Sequence, residues 1–219
     1  MQAIYPLIAW VVCLVFAALV LRQYFERRKV HQLIWAIALF ITVFGIFSEF
    51  YSEIWGWSVL LYRFYYVAAA SLVAFLGLGT AYLILPKRIA HVFLAAFLLI
   101  IALFLWTSLK ANVDITKLVT GVTVAGRAMP GQVRLFSPLL TIPGTALLLG
   151  GAIYSVLFFL KKRKYPYRVW ANIFIAAGAI VIAAAGSFAR VGQTQYLYPA
   201  EMVGITLLFV GFLMANKLT

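Results

Sequence analysis

Apolar residues run along this chain in long blocks separated by short polar breaks, and the blocks are of similar length. They predict helices at about 3–22, 31–51, 58–85, 89–109, 137–160, 168–189 and 197–216, each close to the roughly 20 residues needed to cross a bilayer core. The predicted fold class is all-α: a polytopic membrane bundle of seven transmembrane helices, with residues 1–219 as a single domain.

The long break, 110–136, separates the fourth and fifth blocks. Between Val119 and Val124, β-branched residues surround Gly121, and Ala125-Gly126 and Pro130-Gly131 supply turns, so a short hairpin is expected there. Long loops in compact proteins are often lids, and this one is expected either to cover the mouth of the bundle or to act as an ordered spacer.

Composition turns the pattern into a class. The chain is 66% hydrophobic and 11% charged, with a mean hydropathy of +1.05, whereas about a quarter of residues are charged in a soluble domain. The net charge of +13 reads as topology signal and as contact with anionic lipid headgroups, not as nucleic-acid binding. Arg22, Arg27, Arg28 and Lys29 follow the first block, Lys87 and Arg88 the third, Lys161 to Lys164 and Arg168 the fifth, and Lys217 the seventh. The positive-inside rule therefore predicts an N-terminus outside and a C-terminus inside. Glu49, Glu53, Asp114 and Glu201 then fall on the outer side, and 110–136 is an extracellular loop. The first block has no basic stretch before it and no cleavage pattern, so it is expected to be a retained helix.

Small residues form seams at Ala70, Ala74 and Gly77, at Ala146, Gly150 and Gly151, and at Ala179, Ala183 and Ser187, where helix backbones could approach closely. The run Ala176 to Gly186 predicts that helix 168–189 is central. Trp10, Trp35, Trp55, Trp57, Trp106 and Trp170 sit near block ends, as an interfacial aromatic belt requires. Arg27-Arg28-Lys29 and Trp35-Ala36 match Lys162-Arg163-Lys164 and Trp170-Ala171 at an offset of 135, and Leu61-Tyr62 matches Leu197-Tyr198 at 136. A parallel 3+1+3 repeat would produce these matches. So would coincidence, because inward loops are basic and interfaces aromatic in any bundle, and both explanations stay open.

Several chemistries are disfavoured by where residues fall. All eight lysines lie in loops or at block ends, so none is placed to hold retinal. Cys13 is alone and Asp114 is the single aspartate, which disfavours a metal cluster and aspartyl proteolysis. His31 and His91 both begin inward-starting helices, at the wrong depth for haem ligation across the membrane. No ionisable group is expected near the midplane, so a side-chain proton relay is disfavoured. Neither a cofactor nor an enzymatic role is expected.

One polar constellation remains. At about 1.5 Å per residue, Glu49 and Arg63 reach the outer edge of a ~30 Å core, Arg190 lies at a similar level, and Glu201 stands slightly inside as the most buried acid. With Glu53, Tyr62, Tyr66 and Tyr198, and the nearby Tyr65 and Tyr196, they are expected either to line an outward-facing ligand pocket or to fasten the outer helix ends. Buried charge needs a partner, so Glu49 or Glu53 with Arg63, and Glu201 with Arg190 or Arg63, are the expected pairs.

Gly45 to Glu49, Gly56-Trp57, Leu61-Tyr62-Arg63, Tyr65-Tyr66, Gly77-Leu78-Gly79-Thr80, Pro143-Gly144-Thr145, Gly150 to Ser155 and Ala189-Arg190 give the chain a likeness over most of its length. It resembles a family of seven-helix membrane proteins of Gram-positive bacteria that has no assigned activity. The resemblance implies a multi-pass protein of the bacterial cytoplasmic membrane and no particular chemistry. In helix number and orientation it is also loosely similar to the seven-helix sensory regions of bacterial histidine kinases. Two functions remain open: a ligand-binding or sensory module, with a small or lipid-like ligand and a cytoplasmic partner protein, and a small-solute or lipid transporter built from two three-helix repeats.

Overall fold

The computed structural model describes residues 3–120, 124–162, 166–190 and 193–216, without the side chains of Lys162 and Arg190. Its helices are α1 (Ile4–Arg27), α2 (Val30–Trp55), α3 (Val59–Ile84), α4 (Lys87–Lys110), α5 (Gly131–Arg134), α6 (Phe136–Lys162), α7 (Pro166–Arg190) and α8 (Leu197–Asn216). All but the four-residue α5 are long and apolar enough to cross a membrane. Local chemistry sets the boundaries. α1 runs past its apolar block through an Arg22–Glu26 ion pair at 2.9 Å. It stops at Arg28, whose left-handed φ of +53° turns its N–H back onto the Tyr24 carbonyl. α2 stops at Gly56, where φ is +83° and a Cβ would stand 2.8 Å from Thr120 Oγ1, so glycine is required on both counts. Ser58 caps α3 by accepting from the Leu61 N–H. Pro86 then holds Leu85 extended and ends α3.

α1, α2, α3, α6, α7 and α8 pack in that order as a closed ring, and α4 stands outside it against α3 and α6. The helix ends that carry Arg22 to Lys29, Lys87 and Arg88, and Lys161 and Arg168 lie at one end of the ring, with Glu49, Asp114 and Glu201 toward the other; these are called the basic and acidic ends below. At the basic end Gln23 of α1 donates to Asn216 of α8 at 2.8 Å, so these helices run in the same direction. One apolar core fills the ring, around Cys13, Leu39, Leu76, Leu148, Ala179 and Leu208. A second, around Tyr62, Tyr66, Phe104 and Leu140, lies between α3, α4 and α6. Glycine permits the closest crossings: a Cβ on Gly144 would lie 2.7 Å from Ala74 Cα, and one on Gly178 2.6 Å from the Gly204 carbonyl.

Two expectations are corrected. The central helix is α3, with 61% of its apolar window buried, and not α7, with 22%. The small residues of α7 let it approach α8 on one face, which is not burial on every face. Trp35 is not part of an interfacial belt: its indole N–H donates to the Leu76 carbonyl at 3.1 Å, and its ring fills the notch left by Gly79. Trp55, Trp106 and Trp170 are exposed, as a belt requires.

The hairpin expected over Val119–Val124 falls in part on 121–123, outside the described residues. The described loop residues form a 3-10 turn at Ile115–Lys117 and turns at Ala125–Ala128, with no strand. Val124, Ala128 and Met129 bury against Tyr62, Tyr66 and Phe104, so the loop covers the second core.

Candidate functional site

The residues expected to form one constellation divide into two groups. Residues two apart on a helix point about 200° apart, and this separates Arg63 from Tyr65 on α3. Arg63 turns toward the end of α4 and donates to the Ala111 carbonyl at 2.7 Å. It forms no ion pair with Glu49, Glu53 or Glu201, and its Nε is buried without a partner among the described residues. Tyr62 and Tyr66 also belong to the loop. The Tyr62 hydroxyl donates to Ala125 O at 2.6 Å and accepts from Ala128 N at 3.3 Å, while the Tyr66 ring packs against Tyr62, Phe104 and Gly126.

Tyr65 faces the ring. Its hydroxyl donates to Glu49 Oε1 at 2.5 Å. Glu49 is 3% exposed and is the acid most buried as a residue, a place expected for Glu201. The Glu49 carboxyl lies within hydrogen-bonding reach of the Glu201 carboxyl on α8. Glu49 Oε2 and Glu201 Oε2 are both shielded from solvent and receive no donor among the described residues. Glu53 lies one turn along α2, close enough for its charge to act on Glu49. Tyr198, buried, stands beside Tyr65, and Cys13 of α1 lies near Glu201. Ser52 bonds back to the Glu49 carbonyl at 2.8 Å. The Arg190 side chain, expected to pair with Glu201, lies outside the described residues. Tyr65 was legible as a neighbour of the cluster, but Cys13 was legible only as a lone cysteine, since nothing local links an apolar run in α1 to an acid in α8.

Nearer the basic end the ring contains a cavity of about 100 Å³ to which every ring helix contributes, through Phe16, Trp35, Thr80, Gly151, Asn172 and Phe212 among others. This is the opposite half from the pocket expected at the outer cluster. Its walls are apolar apart from a few groups. Thr80 Oγ1 is bonded to Leu76 O, and Asn172 Nδ2 donates to Arg168 O at 2.7 Å. Among the described residues the Ser155 hydroxyl and the Asn172 side-chain oxygen have no partner.

In the loop, the Thr116 hydroxyl donates to Asp114 at 2.6 Å and Lys117 lies 2.9 Å from it, and together they hold the Asp114 carboxyl below its ordinary value of 3.8. Family models, curated proteins and solved structures yield no match to this chain.

Proposed function

We propose that this chain is a ligand-binding module of the membrane that takes a small apolar molecule, or a segment of a lipid chain, into the cavity of its six-helix ring. The observation that carries this reading is that all six ring helices line the cavity, so an occupant touches each of them. An apolar cavity of this order accepts a benzene-sized ligand, and Ser155 with Asn172 offers a hydroxyl and an amide oxygen to a ligand with one polar group. The positive-inside rule places the basic end in the cytoplasm, as in the sensory regions this chain loosely resembles. There the basic loops would meet a partner protein, in the bacterial cytoplasmic membrane that the resemblance implies.

The test is a benzene titration followed by thermal melting. Mass action raises the melting temperature of a protein that binds only when folded. The shift should be present in the parent and absent in Ala152→Phe, which fills the cavity from a buried wall position. Equal shifts in both would sink the reading.

A transporter built from two halves is the second reading, favoured by the order of helices in the ring. Exchanging α1, α2 and α3 with α6, α7 and α8 maps every neighbouring pair onto another neighbouring pair, as a parallel repeat requires. Tyr62 and Tyr198 are both buried, but Trp35 is wedged against Leu76 while Trp170 is 57% exposed. A cysteine at Ser155 in the Cys13→Ala background separates the readings: labelling from both faces favours transport, and labelling from the basic face alone favours the module.

A further inference from the structure

The buried acids at the opposite end of the ring present a bonding deficit that the cavity reading does not touch. An ionised carboxylate only accepts hydrogen bonds. Tyr65 supplies one donor, to Glu49 Oε1, which leaves Glu49 Oε2 and Glu201 Oε2 facing a neighbouring acid with no donor among the described residues. Two anions in that arrangement would bear both the cost of leaving water and their mutual repulsion. A single proton removes both problems. The O–H of one carboxylic acid donates to the facing carboxylate in a charge-assisted bond, both orphaned oxygens are satisfied at once, and the Tyr65 hydroxyl stabilises the one remaining negative charge.

We propose that Glu49 and Glu201 hold one proton between them, forming a buried proton-binding site that ties α2 to α8 across α1 at the acidic end of the ring.

The groups around the pair fit a proton better than a metal ion. From α1 the neighbour is Cys13, from α2 Glu53, from α3 Tyr65 and from α8 Tyr198. On α7, which packs along α8, the charged residue at this level is Arg190, with a side chain outside the described residues. Nowhere among the described residues do three His, Cys, Asp or Glu side chains come together to hold a metal ion.

The site also has a mechanical consequence. Removing the proton leaves two anions in contact and pushes α2 and α8 apart. These helices contribute Trp35, Leu39, Leu208 and Phe212 to the cavity wall, so the protonation state of the pair biases the cavity at the other end.

Infrared spectroscopy and melting of the full chain in detergent test the proposal without any cavity ligand. At neutral pH the parent should show the C=O band of a buried carboxylic acid, shifted in D2O and absent from the Glu49→Gln, Glu201→Gln double variant. Its melting temperature should fall as pH rises from neutral into the alkaline range. Each single Gln variant, with an amide N–H in place of the acid O–H, should lose that fall. The parent spectrum needs no variant to fold, and absence of the band overturns the proposal. An undiminished alkaline fall in both single variants also overturns it. A melting shift specific to sodium over choline, abolished by either Gln, would replace the proton with a cation. An absent band, together with destabilisation on Arg190→Gln, would make the pair a salt-bridged triad instead.

Discussion

The Tyr62 hydroxyl donates to the Ala125 carbonyl oxygen at 2.6 Å, tying the first turn of α3 to a loop residue held at a left-handed φ of +46°. The same oxygen accepts from the Ala128 N–H, so one buried side chain satisfies two backbone groups of a loop that has no strand among its described residues.

Tyr62→Phe should therefore destabilise the protein by about 1–3 kcal/mol, the cost of leaving buried polar groups unpaired. Amide exchange at Ala128 should accelerate while exchange in the middle of α1 stays unchanged. Uniform acceleration would mean that Tyr62 supports the whole bundle and not the loop.

Close packing of α3 on α6 predicts a contrast between two glycines of one helix. A Cβ at Gly144 meets the Ala74 and Val73 backbone at 2.7 Å, whereas at Gly150 nothing lies within 4 Å. Gly144→Ala should cost about 1–3 kcal/mol through overpacking. Gly150→Ala should be neutral, or stabilising by up to about 1 kcal/mol through helix propensity. Thermal melting in detergent checks both, and similar effects would contradict the packing.

Asp114 makes the loop acid-sensitive. The Thr116 hydroxyl and Lys117 favour its ionised form and lower its folded value. Its contribution is thus present above the unfolded carboxyl's value and lost as pH falls through the lowered one, below about pH 4. The protection of the Thr116 amide, exchange measured relative to its intrinsic rate at each pH, should fall on that acidification in the parent. Asp114→Asn should exchange faster at neutral pH and show no acid step.

The orientation proposed from the charge pattern is tested by labelling. In the Cys13→Ala background, Asn112→Cys should react with an impermeant thiol reagent from outside intact cells, and Lys29→Cys only after the membrane is opened. The reverse pattern would invert the bundle.

The seven spans, the segregation of basic loops and the position of the long loop were all legible in the chain, because each depends on local quantities: the length of an apolar block and the charges beside it. Even the division of the outer cluster was partly legible, since helical geometry alone sets Arg63 about 200° from Tyr65. Which faces meet was decided by tertiary structure. In a membrane, lipid-facing and buried surfaces are equally apolar, so composition could not distinguish α3, the buried helix, from α7, whose small residues serve a single contact. Nor could it bring Glu49 to Glu201. These residues lie on helices far apart in sequence, and ring closure brings α8 back beside α1, where one buried carboxyl finds the other.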